Sequence, residues 1–178
     1  AIDQSGTSKL DQLDSVIAGW SGIEGIDAQV SEWIDTTVAR IRGYHPRKVF
    51  EIGCGTGQLL ARLAPEVEEY HAADISKVAI DALRSTHPAP NIHLHHRPAD
   101  EFEGLPQGHF DTVIINSVAQ YFPNAGYLKS VLEGALALLA PGGRVFLGDI
   151  QSNALLPVHH AEALRERAPR DATAGDLR

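Results

Sequence analysis

Three glycines at alternate positions follow a short apolar run, and this run-and-loop pattern restricts the fold of the chain more than any other feature. Lys48–Ile52 has the length and apolar character of a strand, and Gln58–Ala64 has the pattern of a helix. Between them, Gly53, Gly55 and Gly57 allow a tight turn and let the backbone approach a ligand closely. Because a strand that turns directly into a helix begins a βα unit, we expect a parallel sheet with helices on its faces.

Strand and helix patterns alternate along the rest of the chain. Asp111–Asn116 contains a continuous apolar run, typical of a strand buried on both faces. The helix predicted over Tyr127–Leu139 has an apolar stripe that includes Val131, Ala135 and Leu136. This alternation predicts an α/β fold with a doubly wound, mostly parallel sheet, in which ligands bind at the carboxyl ends of the strands. The other predicted elements are strands over Tyr70–Asp74, Ile92–His96 and Arg144–Asp149, and helices from Asp27 to Gly43, after Ser76 and over Leu155–Ala168.

Composition limits the partners and the compartment. The chain has 15 basic and 23 acidic residues, a formal charge of −8, which argues against a nucleic-acid partner because phosphate binding requires basic surface. No apolar run reaches the length of a membrane span, so we expect no membrane partner. A single cysteine fits a reducing cytoplasm. The absence of methionine, even at position 1, indicates a piece of a longer chain.

The glycine spacing and two acidic residues narrow the ligand. A dinucleotide-binding loop would have its third glycine at position 58, where this chain has Gln58. Asp74 ends the second predicted strand, where a carboxylate can accept both ribose hydroxyls of a nucleoside. Asp100 follows the third, where a carboxylate can accept an adenine amino group. For each feature alone a structural role is the alternative, but the three together point to S-adenosylmethionine.

With these residues in place, the chain resembles the class I S-adenosylmethionine-dependent methyltransferases over Asp27–Ile150. The string N-S-V-A-Q-Y-F-P at Asn116–Pro123 looks like that of the methyltransferase domains embedded in nonribosomal peptide synthetases. The segment G-D-I-Q-S at Gly148–Ser152 looks like the matching G-D-V-R-S segment of the same group. Ile17–Trp20 and the pair Glu32-Trp33 are similar to the upstream helices of that group.

The resemblance implies a Rossmann-like core over residues 27–178, with a lead-in and lid segment over residues 1–26. It implies N-methylation of an aminoacyl or peptidyl group tethered to a carrier protein through phosphopantetheine, with neighbouring adenylation and carrier domains. S-adenosylmethionine would be the cofactor and S-adenosylhomocysteine the product. The expected catalytic residues are Gln120, Tyr121 and Asp149. The expected cofactor-binding residues are Glu51, Gly53, Cys54, Gly55, Gly57, Asp74, Ile75, Ala99, Asp100, Asn116 and Ser117.

The chain departs from the family pattern at three points. The linker between Trp20 and Trp33 is short and lacks the usual tyrosine and Gly-Glu-Pro turn of the lid. Gln151 replaces the arginine of G-D-V-R-S, and the chain ends at Arg178, before the family's last antiparallel strand pair. The alternatives are therefore a C- or O-methyltransferase of an assembly line or of a small molecule, and a non-methylating derivative, either epimerase-like or structural.

The histidines do not predict a metal site. Alternation with Ile92 and Leu94 places His93 and His95 on one face of a strand. No cysteine or carboxylate cluster stands beside them in the sequence to complete a ligand set. We therefore expect no metal ion.

Overall fold

The computed structural model describes residues 26–150 and residue 154, and side chains from residue 30 onward. The predicted lead-in and the predicted helix Leu155–Ala168 lie outside the described residues. Two compact units divide the chain, and the first, which ends at Gly148, holds all the described helices and strands. In chain order these are α1 (Ile26–Arg42), β1 (Lys48–Ile52), α2 (Leu60–Leu63) with a 3₁₀ turn (Ala64–Glu66), β2 (Glu69–Asp74), α3 (Lys77–Thr86), β3 (Ile92–His96), β4 (Phe110–Asn116), a 3₁₀ turn (Ala119–Tyr121), α4 (Ala125–Leu138) and β5 (Leu139–Gly148).

The five strands form one sheet in the order β3-β2-β1-β4-β5, and every pair is parallel. The strand order reverses between β1 and β4, which makes the point where those two strands end the expected ligand crevice. The predicted doubly wound parallel sheet is therefore confirmed. No helix within residues 26–150 is long and apolar enough to cross a membrane.

Apolar side chains cover both faces of the sheet, as a doubly wound fold requires. On one face, Val49 and Tyr70 pack in a cluster that includes Val38 of α1. On the other face, Phe50 and Phe110 pack in a cluster with residues of α4. Successive residues of β1 therefore alternate between the two cores, so β1 is packed on both faces up to its carboxyl end.

The region between α4 and β5 differs from the prediction. β5 begins at Leu139 rather than at Arg144, and the register of its pairing with β4 shifts between Phe110 and Thr112. The segment from Ala140 to Gly143 forms this irregularity, with Gly142 at a φ of +83°. The helix thus ends at Leu138, before the Pro-Gly-Gly sequence, which forms an irregularity within β5 and does not separate the helix from the strand.

The apolar stripe of α4 is also shifted from its predicted position. Val131 and Ala135 are buried as predicted, whereas Leu136 is 60% exposed and Leu138 only 1% exposed. Leu138 is the last residue of α4, where the chain turns inward to begin β5. The helical periodicity of the sequence assumes that the helix continues, so it does not predict the burial of Leu138.

Replacing Leu138 and Leu136 by alanine in separate variants tests this assignment. Leu138→Ala removes a fully buried side chain and should lower the free energy of unfolding by about 2–5 kcal/mol. Leu136→Ala, on the same helix, should change it by less than about 0.5 kcal/mol. Urea unfolding followed by circular dichroism measures both, and equal effects would contradict the assignment.

Candidate active site

The glycine loop is tied to the end of β2 by backbone hydrogen bonds. The N–H groups of Gly53 and Cys54 both donate to the Ala73 carbonyl, at 2.8 and 3.1 Å. The N–H of Gly55 donates to Oδ2 of Asp74 at 2.8 Å. These three N–H groups therefore hold the loop in place. A ligand therefore has to bind other atoms of the loop than these three N–H groups.

Each glycine of the loop has a left-handed backbone, and two of them also lack room for a side chain. Gly53, Gly55 and Gly57 have φ values of +77°, +51° and +80°. A Cβ on Gly53 would lie 2.6 Å from Cγ2 of Val118, and one on Gly57 would lie 2.4 Å from Cδ2 of Leu83. At Gly55, no described atom outside the glycine and its two chain neighbours lies within 4 Å of the Cβ position. The loop thus packs closely at both ends and is open at its middle.

Asp74 has a structural role at the strand end as well as its predicted binding role. Its Oδ1 accepts from the N–H of Ser76 at 2.8 Å, and its Oδ2 accepts from Gly55. Ser76 itself caps α3 by accepting from Ala79 at 3.2 Å. Each carboxylate oxygen has a second lone pair, so Asp74 keeps acceptor capacity for a ligand. Beside it, Ile75 is 54% exposed and provides apolar surface.

The loop after β3 places Ala99 and Asp100 beside the start of α4. Asp100 is exposed and Ala99 is half-buried. Burial raises the pKa of Tyr127, and a hydrogen bond with Asp100 raises it further, so the tyrosine keeps its proton. Tyr127 was not among the predicted site residues, although its position at the start of a helix near a strand end was visible in the sequence.

The end of β4 holds a buried acceptor without a hydrogen-bond partner. Nδ2 of Asn116 donates to Oγ of Ser117 at 3.2 Å, whereas Oδ1 has no partner among the described residues. A Cβ on Gly148 of β5 would lie 2.2 Å from this Oδ1, so the glycine makes room for the amide. Ser117 has a φ of +56°, a conformation that is unusual for a non-glycine residue. Strained backbone and unpaired polar atoms are typical of ligand-binding sites.

The predicted catalytic residues follow these strand ends. Gln120 is exposed and donates from Nε2 to the Ser117 carbonyl at 3.0 Å. Tyr121 is 55% exposed at the end of the 3₁₀ turn. Both lie within the loop whose Val118 packs against Gly53, so the structure brings them to the side of the sheet where the glycine loop lies. Asp149 directly follows β5, is exposed and begins the second unit.

Under the glycine loop lies a buried pair, Glu51 and Tyr70. The Tyr70 hydroxyl donates to Oε2 of Glu51 at 2.8 Å. Burial raises the pKa of Glu51 to about 7, although the Tyr70 hydrogen bond opposes the shift. Burial also raises the pKa of the Cys54 thiol, with Glu51 and Asp74 adding to it. Cys54 is therefore a packed thiol and not a nucleophile.

Comparison with known protein families identifies the family of this chain. Residues 50–145, more than half of the chain, match the model of a family described as a methyltransferase domain. The chain belongs to this methyltransferase family. The matched range begins in β1 and ends in β5, so it contains the glycine loop and the four strand ends described above.

Relatives of this methyltransferase domain are much longer proteins. The domain is 46% identical over 155 residues to chondramide synthase cmdD of Chondromyces crocatus, which covers 85% of this chain and 4% of that protein. It is 41% identical over 169 residues to CymA of Salinispora arenicola (strain CNS-205), which is described as a probable non-canonical nonribosomal peptide synthetase. This match covers 85% of this chain and 2% of CymA. The domain is thus related to short segments of such synthetases.

Solved structures show the same fold. An S-adenosylmethionine-dependent methyltransferase from Clostridium acetobutylicum ATCC 824 superposes with a TM-score of 0.63 at 18% identity, covering 84% of this chain and 60% of that one. The N-methyltransferase NodS from Bradyrhizobium japonicum WM9 gives a TM-score of 0.59 at 22% identity, and the match covers 67% of this chain and 68% of NodS. These similarities confirm the Rossmann-like methyltransferase fold.

The histidines of the methyltransferase domain differ from the sequence interpretation in one respect. The expectation that no carboxylate accompanies His93 is wrong, because the pairing of β2 with β3 brings Glu69 and His71 beside it. The signal was present in the sequence as Glu69-x-His71 and His93-x-His95, since alternate residues of a strand share a face. The register that joins the two pairs was not visible there.

The buried carboxyl of Glu51 makes stability depend on pH. Its folded-state pKa of about 7 lies above the value of about 4.3 in an unfolded chain, so the protonated form stabilises the fold. This contribution is complete below about pH 4 and is lost as the pH rises to about 7, a change of roughly 3 kcal/mol. In Glu51→Gln the contribution is absent at every pH.

Urea unfolding at pH 5 and pH 8 of the wild-type and Glu51→Gln proteins measures this difference. The wild type should lose more stability between the two pH values than the variant does. Glu133→Gln, which changes an exposed carboxylate, should behave as the wild type. Parallel pH profiles for the wild type and Glu51→Gln would contradict the assignment.

Proposed function

We propose that this methyltransferase domain binds S-adenosylmethionine at the carboxyl ends of β1, β2, β3 and β4. We further propose that it methylates the amine of an aminoacyl or peptidyl group tethered to a carrier protein through phosphopantetheine. The products are the N-methylated carrier-bound group and S-adenosylhomocysteine. The observation that carries the proposal is the buried Oδ1 of Asn116, which has no partner among residues 26–150 and lies on the side of the sheet where the open glycine loop is found.

The polar groups at these strand ends fit the cofactor. S-adenosylmethionine carries an ammonium, a carboxylate, a ribose with two hydroxyls and an adenine with an exocyclic amine. Asn116 and Ser117 supply the acceptor and the hydroxyl that suit the amino acid end. Asp74 has free lone pairs for the ribose hydroxyls, and Asp100 has a carboxylate for the adenine amine.

Four further positions contribute to the proposed site, two as apolar surface and two as support for the glycine loop. Ile75 and Ala99 supply the surface for the adenine ring. Glu51 and Cys54 support the glycine loop from beneath, next to the open position at Gly55. The sulfonium group, when bound, supplies an electrophilic methyl carbon. This chain has to hold the acceptor amine in line with that carbon and exclude water.

The acceptor amine must be neutral to attack, and two residues of the first unit are proposed to orient it. Gln120 can donate a hydrogen bond to the amine from its exposed amide, and Tyr121 can accept one from it. The proton that the amine releases passes to solvent. Asp149, the third expected catalytic residue, belongs to the second unit and takes no part in this assignment.

Two observations support the link to peptide assembly lines. The string Asn116–Pro123 resembles the methyltransferase domains of nonribosomal peptide synthetases. The relatives include a protein described as such a synthetase, of which this chain spans a small fraction. We therefore propose adenylation and carrier domains as neighbours in a cytoplasmic synthetase. The exposed Gln120 and Tyr121 then face the arriving carrier-bound group.

Replacing Asp74 by alanine tests the cofactor site. Loss of hydrogen bonds to a charged acceptor costs about 1.5–3 kcal/mol, so the dissociation constant for S-adenosylmethionine should rise roughly 10- to 150-fold. Isothermal titration calorimetry measures this value, and Asp81→Ala, which changes an exposed carboxylate on α3, is the matched control. Urea unfolding of both variants checks that the glycine loop anchored by Asp74 has not unfolded the domain. An unchanged affinity in a folded Asp74→Ala protein contradicts the site.

Incubation with a carrier protein loaded with amino acids tests the acceptor. The loaded carrier should gain the mass of one methylene group, and fragmentation should place it on the amine nitrogen. Gln120→Ala should slow the transfer while leaving the affinity for S-adenosylmethionine unchanged. A methyl group on carbon or oxygen would instead establish one of the alternative methyltransferase activities and contradict N-methylation.

A further inference from the structure

A cluster of four histidines and one glutamate lies on the sheet along β2 and β3. Its members come from β2, from β3 and from the residue before β4. Along β2, Glu69 lies about 16 Å and His71 about 10 Å before Asp74 at the cofactor end, whereas His95 of β3 pairs with Ala73. The proposed methyl transfer uses none of these side chains. The members are Glu69, His71, His93, His95 and His109.

The strand register brings the three central side chains together. His71 of β2 and His93 of β3 are directly opposite each other, and their ring centroids are 4.4 Å apart. Glu69 lies two residues before His71 and therefore on the same face. A donor atom from each of these three residues lies within 4.8 Å of those of the other two. The ligand atoms around a tetrahedral zinc ion lie about 3.4 Å apart. Side-chain rotations that move these ligand atoms by about 1 Å would bring them to that spacing.

The two remaining histidines orient two of the three central side chains, His71 and Glu69. Oε1 of Glu69 and Nε2 of His71 are 2.8 Å apart and face each other. The opposite ring nitrogen of His71, Nδ1, is 3.0 Å from Nε2 of His95. The other oxygen of Glu69, Oε2, is 2.7 Å from Nε2 of His109. Outer partners of this kind fix the ring and carboxylate orientations of metal ligands.

We infer that Glu69, His71 and His93 form a binding site for Zn²⁺, with His95 as the outer hydrogen-bond partner of His71 and His109 as that of Glu69. Two imidazoles and a carboxylate are ligands typical of zinc, and one coordination position remains for solvent because His93 is exposed. With Nε2 of His71 on the ion, its Nδ1–H donates to His95. The ion would join β2 to the edge strand β3. The site is independent of the methyl transfer proposed above.

Calorimetry with ZnCl₂ on the tag-free 178-residue chain tests this site. All proteins carry His159→Gln and His160→Gln, since adjacent histidines can bind zinc by themselves. One Zn²⁺ should bind per chain, and Mg²⁺, which prefers oxygen ligands, should give no saturable heat. His93→Gln and Glu69→Gln should each weaken binding at least tenfold. His96→Gln, a histidine on the same strand but the opposite face, should leave it unchanged.

A second measurement separates a built site from surface adsorption. X-ray absorption of the zinc complex should show nitrogen and oxygen ligands at about 2.0–2.2 Å, including two imidazoles. The temperature of unfolding should rise by about 5–11 °C at a hundredfold excess of Zn²⁺ over the dissociation constant, and not in His93→Gln. The inference is overturned if Zn²⁺ does not saturate, if His96→Gln weakens binding as much as His93→Gln, or if no imidazole ligand is seen.

Discussion

The connection between the glycine loop and the end of β2 is the constraint on which the rest of the site depends. The Ala73 carbonyl accepts two N–H groups of the loop, and Asp74 accepts a third. Side chains at Gly53 and Gly57 would collide with Val118 and Leu83, so the loop also sets the position of the segment after β4 and of α3. One tight turn thus fixes three elements around the crevice.

The sequence predicted the elements of this crevice because its signals are local. A glycine loop, a strand of apolar residues and an acidic residue at a strand end can each be recognised within a few residues. Topology then orders them, because parallel strands present their carboxyl ends at one edge. The structural role of Asp74 was not predictable, since it depends on the N–H of Gly55, 19 residues away. The exposure of Leu136 and burial of Leu138 depend likewise on where the chain enters β5.

The histidine cluster shows the limit of this reasoning more clearly. His93 and His95 lie close together in the sequence, but two histidines without further ligands do not predict a metal site. Glu69 and His71 lie more than twenty residues earlier, and only the register of β2 with β3 brings His71 opposite His93. A shift of one residue in that register would place the two histidines on opposite faces. The cluster is therefore a consequence of strand pairing and not of any motif.

The end of β4 combines two features that are unfavourable for folding alone. A buried acceptor without a partner costs about 1–3 kcal/mol, and a non-glycine residue at positive φ adds about 1–3 kcal/mol more. Asn116 and Ser117 show these features at adjacent positions. The close fit of Gly148 against Asn116 keeps the amide in this position, where a larger residue would displace it. A ligand that donates a hydrogen bond to Oδ1 would remove the first of these costs, so binding there would stabilise the strand end as well as the ligand.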